Sequence, residues 1–282
     1  MNDSDKTKKD WESYKEIVLK YSRLFLCCNT IEYFCLENIE KDRSGIIASN
    51  HVGSSKDIMS LVDVFMEEDE QIFFAARKEM FKAEGWYGLI KQHLKNHLKL
   101  FSYIIPEKLI RKVADSTHSD IKKMEEIGTI IPFDIQNRKD FRASMMTVNQ
   151  YLSEYGRKVV IFQFDKKERE ADRRFIFHGA NKGAAYLANK VYKEHKIEVP
   201  IYPTAILGSG SLLPLDCMIT TLSKKPIRVS FGKPLEITSF LDEEKPVDAM
   251  THALDVNIRK QIRELAKNKE KGTVIYPARL RL

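Results

Sequence analysis

The sequence has no long apolar run free of charges, no paired cysteine spacing and no common nucleophile motif. Its N-terminal apolar stretch, residues 11–36, is broken by Lys20, Arg23 and Glu32 and is too polar to span a bilayer, so any membrane contact is expected to be peripheral. The four cysteines lack the spacing of a zinc site or a secreted disulfide framework, which favours a reducing cytoplasm. Absence of Gly-x-Ser-x-Gly argues against a nucleophile-elbow esterase.

Charge of one sign is only in slight excess. Lysine and arginine total 47 against 40 aspartate and glutamate, a formal charge of +7. This excess favours phosphates, anionic lipid headgroups or an acidic carrier protein as partners, without selecting among them. Basic residues are interleaved with acidic ones, and the aromatics lack the regular spacing typical of a nucleic-acid groove, so no nucleic-acid partner is expected.

Motifs for metal and nucleotide binding are also missing. His93 and His97 are spaced as i and i+4, but no glutamate follows His93 and the stretch is basic, which favours a solvated helix face over a zinc site. Residues 208–211, GSGS, lack the Gly-Lys-Ser/Thr ending of a phosphate-binding loop and are interpreted as a loop. The sequence therefore predicts no metal site and no cofactor.

Short β-rich runs alternate with helical stretches along most of the chain. This alternation predicts an α/β fold with a mixed, mostly parallel sheet flanked by helices. No repeat or linker divides the chain, so we expect an N-terminal amphipathic helical segment over residues 1–36 and one α/β domain over 37–282. The predicted strands are 45–49, 71–76, 129–133, 158–162 and 199–206, with further apolar runs near 215–221 and at 227–231, and a closing helix over 245–268.

Two helical segments carry open alternatives. The N-terminal segment has apolar side chains at helical spacing, and it either packs on the protein's own core or lies in a membrane interface. Residues 91–126 form a basic, amphipathic helical insert. The insert is either a lid or membrane-facing surface, where Lys and Arg meet anionic headgroups, or a packed part of the domain.

The stretch IIASNHVGSSKDIMSL contains the strongest candidate for a catalytic residue. An apolar strand runs into Asn50 and His51, followed by a Gly-Ser-Ser turn and a helix that begins near Asp57. Near neutral pH an imidazole accepts a proton from a hydroxyl, and a carboxylate on its other nitrogen fixes the tautomer and stabilises the imidazolium. His51 is therefore predicted as a general base and Asp57 as its partner.

At these residues the sequence resembles the glycerolipid (1-acylglycerol-3-phosphate) acyltransferase family. The family's first block is Asn-His, four residues and Asp at the end of a strand, whereas five residues separate His51 from Asp57. Residues 75–90, AARKEMFKAEGWYGLI, resemble the Lys-Glu-Leu-Phe and Gly-Trp segment that follows in the family. The order of these blocks is the same in both.

The second and third family blocks are matched less closely. Residues 128–141, GTIIPFDIQNRKDF, resemble the second block, whose arginine binds the acceptor's phosphate; by position this arginine is Arg138, with Lys139 or Arg142 as alternatives. The third block, Phe-Pro-Glu-Gly-Thr-Arg-Ser, is replaced by VVIFQFDKKERE at 159–170. Of that block only Phe162 is retained, and Arg169 supplies a positive charge at a displaced position.

Three later segments extend the resemblance over roughly residues 37–237. They are FHGANKGAAYLA at 177–188, similar to the family's Phe-Lys-x-Gly-Ala helix start, VPIYPTAI at 199–206, similar to its fourth block, and IRVSFGKPLEI at 227–237.

The resemblance implies an enzyme of phospholipid biosynthesis. It would move a fatty acyl group from an acyl-CoA or acyl-carrier-protein thioester to the hydroxyl of 1-acylglycerol 3-phosphate, at a cytoplasmic, anionic membrane surface. His51 and Asp57 would be catalytic, and Asn50, Arg138 and Arg169 would bind substrate. Two alternatives remain open, namely an acyltransferase with another acceptor such as glycerol 3-phosphate and a non-catalytic lipid-binding homologue.

Overall fold

The computed structural model describes residues 3–26, 30–50, 55–67, 72–77, 82, 84–88, 90–91, 105–133, 137–153, 157–163, 181–209, 226–268 and 272–275. The helices of 13 residues or more within this part are α1 (Asp3–Phe25), α2 (Ser55–Glu67), α3 (Glu107–Glu126), α4 (Arg138–Ser153), α5 (Gly183–His195) and α6 (Pro246–Lys267). The strands are β1 (Ile31–Phe34), β2 (Gly45–Ser49), β3 (Ile72–Arg77), β4 (Ile130–Phe133), β5 (Lys158–Phe162), β6 (Ile201–Leu207), β7 (Ile227–Phe231) and β8 (Thr273–Ile275).

The chain forms two compact units, residues 1–72 with 149–282 and residues 73–148. In the first unit the strand order is β5-β2-β6-β7-β1-β8. Strand β2 runs parallel to β5 and to β6, and β1 runs parallel to β7, whereas β6 with β7 and β1 with β8 are antiparallel. The predicted α/β fold with a mixed, mostly parallel sheet is confirmed.

The centre of this sheet explains the apolar run at 45–49. Ile46, Ile47 and Ala48 of β2 are all fully buried, as expected for a parallel strand covered on both faces. Gly45 begins the strand because the ring of Tyr202 on β6 takes the space of a side chain, and a Cβ there would lie 2.6 Å from the ring. β2 is therefore held in register between its two neighbours.

Helices of the first unit cover the sheet with apolar faces. α6 packs on β6 and on α5, and its buried residues include Leu254 and Ile258 at helical spacing. α2 is fixed by the hydroxyl of Tyr33 on β1, which donates to the carbonyl oxygen of Ser60 at 2.6 Å. α1 contacts α2, and Tyr14, Ile17 and Val18 are buried, so this part of α1 packs on the protein's own core.

The prediction that residues 31–36 continue the N-terminal helix is wrong. α1 ends at Phe25, and Ile31–Phe34 form β1, paired with β7 and β8. The physical reason is that Ile31, Tyr33 and Phe34 are β-branched or aromatic and favour a strand, and that Glu32 can be buried there because it pairs with Arg228 on β7 at 3.0 Å. Cys35 follows with a left-handed backbone, φ 57°, which also ends the strand.

The second unit contains β3, β4, α3 and most of α4. β3 and β4 are parallel, with Phe74 opposite Ile130. α3 lies within the predicted helical insert 91–126, of which residues 92–104 fall outside the described part of the chain, as does the predicted run near 215–221. Among the described residues, no helix is both long and apolar enough to cross a membrane.

Candidate functional site

The carboxyl ends of β5, β2 and β6 lie at one edge of the sheet. Ser49 at the end of β2 is in register with Phe162 of β5 on one side and with Thr204 of β6 on the other. Parallel strands of α/β folds present their binding sites at such an edge. Just beyond these strand ends lie three buried polar side chains, here called the polar edge and defined as Asn50, Gln163 and Ser209.

The side chain of Asn50 extends the hydrogen bonding between β2 and β6 beyond the end of β2. Its amide nitrogen Nδ2 donates to the carbonyl oxygen of Ile206 at 2.9 Å, and its Oδ1 accepts the backbone N–H of Ile206 at 2.7 Å. The carboxamide thereby imitates a peptide group one step beyond the strand, and it fixes the backbone directly before His51. One N–H hydrogen and one oxygen lone pair of the carboxamide remain beyond these two bonds.

The predicted catalytic pair is described only in part. His51 and residues 52–54 lie outside the described part of the chain. Asp57 lies in the first turn of α2, and its side chain is fully buried. A carboxylate there interacts favourably with the positive end of the helix dipole. The Ser60 hydroxyl donates to the Asp57 carbonyl at 2.9 Å, which holds this turn in place.

Gln163 differs from Asn50 in what surrounds its carboxamide. Its backbone N–H donates to the carbonyl of Ser49 at 2.9 Å, and its own carbonyl accepts the N–H of Asn181 at 2.9 Å. The side chain is fully buried, yet neither Nε2 nor Oε1 has a hydrogen-bond partner among the described residues. A buried polar group left unpaired costs about 1–3 kcal/mol.

Ser209 lies on the other side of β2. It follows Gly208, whose φ of 90° turns the chain after β6. Its side chain is fully buried, and its Oγ also lacks a hydrogen-bond partner within the described part of the chain. The polar edge thus combines one carboxamide that is bound to the backbone with two buried polar side chains that the described residues leave unsatisfied.

The predicted phosphate-binding residues are placed less fully. Arg138 is the first residue of α4, in the second unit, but its side chain lies outside the described part. Arg169 lies wholly outside it. The alternatives Lys139 and Arg142 are both exposed on the first turns of α4. The roles of these residues, and those of His51, Asp57 and Asn50, stay predictions.

Sequence reasoning named neither Gln163 nor Ser209 as a site residue. The sequence predicts only that Ser209 lies in the loop at residues 208–211. The signal that marks both is a polar residue immediately beyond a buried strand at the carboxyl end of the sheet. That signal depends on knowing that the three strands are neighbours.

The α/β fold of this chain is similar to folds already seen among solved structures. No protein-family model and no curated protein matches the sequence. Among solved structures, the chain is similar to the 1-acyl-sn-glycerophosphate (LPA) acyltransferase PlsC from Thermotoga maritima, with a TM-score of 0.54 and 15% sequence identity. The match covers 96% of this chain and 86% of that one, so the likeness in fold extends over nearly the whole molecule.

Proposed function

We propose that this protein is an acyltransferase that moves a fatty acyl group from an acyl-CoA or acyl-carrier-protein thioester to the hydroxyl of 1-acylglycerol 3-phosphate, in phospholipid biosynthesis. The observation that carries the proposal is the Asn50 carboxamide, which anchors to Ile206 the backbone that leads into His51. The likeness in fold to an LPA acyltransferase supports the same reaction class.

The proposed chemistry needs one base and no covalent intermediate on the protein. His51 takes the proton of the acceptor hydroxyl as that oxygen attacks the thioester carbonyl carbon. The tetrahedral intermediate then collapses, the C–S bond breaks and the proton passes from His51 to the thiolate. Asp57 orients the imidazole, and backbone amides at a helix start stabilise the oxyanion.

Thiol release tests this function directly. The assay uses a long-chain acyl-CoA, and separately an acyl-carrier protein, with lysophosphatidate or glycerol 3-phosphate as acceptor. Acceptor-dependent release should fall by about 10²-fold or more in His51→Ala, because general-base catalysis supplies at least that factor. His252→Ala is the matched control, since His252 is exposed on α6.

The outcomes separate the alternatives. Turnover with glycerol 3-phosphate alone would identify a related acyltransferase with another acceptor. Lipid binding without turnover, unchanged in His51→Ala, would identify a non-catalytic homologue. The replaced third block favours both of these alternatives. Arg138→Met and Arg169→Met should each raise the KM for the phosphorylated acceptor and leave the KM for the thioester unchanged. If Lys139→Met or Arg142→Met has this effect instead, that residue is the one that contacts the phosphate.

One exposed face of α3 combines apolar side chains with lysines. Leu109 and Val113 lie four residues apart and are 51% and 47% exposed, and Lys108 and Lys112 form the adjacent exposed stripe. Apolar side chains beside lysines fit an anionic lipid surface, where each basic residue contributes about 1 kcal/mol. We propose that this face of α3 contacts the membrane that supplies the lipid acceptor.

Vesicle sedimentation tests the α3 surface. The double variant Leu109→Gln, Val113→Gln should bind vesicles containing phosphatidylglycerol several-fold more weakly than the wild type. Lys108→Gln, Lys112→Gln should weaken binding to these vesicles but not to neutral phosphatidylcholine vesicles. Val256→Gln, at a residue 48% exposed on α6, is the control. Equal binding by all variants would contradict the assignment of this surface.

A further inference from the structure

Gln163 has the position and the environment of a ligand-binding group. It stands at the carboxyl end of β5, next to the strand that leads into Asn50 and His51, and its backbone is fixed by bonds to Ser49 and Asn181. Its carboxamide is fully buried, and no described residue forms a hydrogen bond with it. A fixed backbone with an unsatisfied buried amide is a preorganised donor and acceptor for a guest molecule.

The chemistry of a carboxamide narrows the ligand class. Its NH2 group offers two donors and its oxygen one acceptor position with two lone pairs, and it carries no charge. A neutral donor suits a carbonyl oxygen, which is a weak acceptor in the ground state and becomes a strong one when it gains negative charge. A phosphate or carboxylate would instead be expected to meet a cation such as arginine.

We infer that the Nε2 of Gln163 donates to the carbonyl oxygen of the acyl thioester and stabilises the oxyanion during transfer. This inference rests on the proposed acyltransferase function and adds a substrate-contacting residue to it. When the acceptor oxygen bonds to the carbonyl carbon, the C=O electron pair moves onto the oxygen that Gln163 faces. When the C–S bond breaks, that pair re-forms the carbonyl, and Gln163 returns to a neutral contact.

The backbone of Ser209 lies too far from that of Gln163 for the two residues to share this role. β5 and β6 are separated by β2, and strands lie about 4.8 Å apart, so the two chains run about 10 Å from each other. The inference is therefore limited to Gln163, which has the longer side chain and the direct backbone bond to Ser49.

The test replaces Gln163 by methionine, which has nearly the same length and volume but no strong hydrogen-bonding group. A donor to the oxyanion should contribute about 10²–10³-fold to kcat. Gln163→Met should therefore lower kcat by this factor with little change in the KM for acyl-CoA, while the melting temperature stays equal or rises because an unsatisfied amide has been removed. Gln163→Leu serves as a second variant should methionine fail to fold.

A second buried glutamine provides the control. Gln261 on α6 donates through Nε2 to the carbonyl of Pro203 at 3.0 Å, so its nitrogen already has a partner within the protein. Gln261→Met breaks that bond and should lower the melting temperature by roughly 2 °C or more without a specific loss in kcat at a temperature where the protein is folded.

Each outcome decides the inference. If Gln163→Met lowers the melting temperature as Gln261→Met does, the carboxamide serves the protein's own structure and the inference is overturned. Unchanged kcat overturns it as well. Comparison of the wild type with His51→Ala separates failure of this inference from failure of the proposed function. If turnover depends on His51 but not on Gln163, only the inference is rejected. If the wild type shows no turnover, both the proposed function and the inference are rejected.

Discussion

Three buried carboxamide side chains differ in their hydrogen-bond partners. Asn50 uses both of its polar atoms on the backbone of Ile206, and Gln261 uses its nitrogen on Pro203. Gln163 finds no partner among the described residues. Because an unpaired buried amide destabilises the fold, these three residues are expected to respond differently to removal of the amide.

Asn50→Ala should lower the free energy of unfolding by about 2–4 kcal/mol. The substitution leaves the N–H and the carbonyl of Ile206 buried without their partners, and each lost partner costs about 1–3 kcal/mol. Urea denaturation followed by circular dichroism measures the change. Asn257→Ala is the control, because Asn257 bonds the carbonyl of Ala253 within α6 and its loss should cost less than about 1 kcal/mol. Equal losses in the two variants would contradict the role of Asn50.

The sequence allowed part of the site to be predicted at this scale. Asn50 and His51 follow an apolar run into a glycine-containing turn, so the strand end and the helix start around them were visible. The bond between Asn50 and Ile206 joins residues 156 positions apart. No local pattern reports such a contact, and for the same reason Gln163 was not recognised as a neighbour of Ser49.

At the scale of elements, Arg228 joins two strands to a helix. Its guanidinium pairs with Glu32 on the neighbouring strand β1 at 3.0 Å, and it also donates to the carbonyls of Leu265 and Asn268 at the end of α6. The side chains of Arg228 and Glu32 are 19% and 7% exposed, so the pair is largely shielded from water. Arg228 thereby satisfies carbonyl groups that a helix end leaves without internal partners.

Arg228→Met should destabilise the protein by about 3 kcal/mol. The change leaves the carboxylate of Glu32 buried without a cation and removes the donor to the end of α6, and breaking a buried pair on one side costs about 3–5 kcal/mol. Guanidinium denaturation measures the loss. Lys260→Met is the control, because Lys260 and Glu264 form an exposed pair 3.9 Å apart that should contribute less than about 1 kcal/mol. Similar effects of both substitutions would refute the role assigned to Arg228.

The same contact shows why β1 was missed from the sequence while β2, β5 and β7 were predicted at their observed bounds. Strands β2 and β5 each contain an uninterrupted run of apolar residues, which marks them as buried strands. In β1, Glu32 interrupts the apolar residues, and from the sequence alone it resembles a solvated position on a helix; the structure pairs it with Arg228 instead. Strand β8 contains only three residues, and its pairing is antiparallel to β1. Short strands with buried charges depend on distant partners, which periodicity does not reveal.

At the scale of the whole molecule, burial of Tyr14 links stability to alkaline pH. Tyr14 lies on α1 with a fully buried side chain, and burial raises the pKa of its phenol well above the usual value near 10. In the unfolded chain the phenol loses its proton near pH 10, while in the folded protein it keeps the proton. The unfolded state therefore binds fewer protons than the folded state above pH 10, and stability falls as pH rises through this range.

The slope of the free energy of unfolding against pH distinguishes Tyr14 from an exposed tyrosine. Between pH 10 and the raised folded pKa, Tyr14 should reduce the free energy of unfolding by up to about 1.4 kcal/mol per pH unit. Urea denaturation at a series of pH values from 8 to 11.5 should show a shallower decline for Tyr14→Phe than for the wild type. In Tyr186→Phe, which removes a phenol 51% exposed on α5, the decline should match the wild type. Parallel curves for the wild type and Tyr14→Phe would mean that Tyr14 titrates alike in both states, and the packing of α1 on the core would then have to be weaker than its buried contacts indicate.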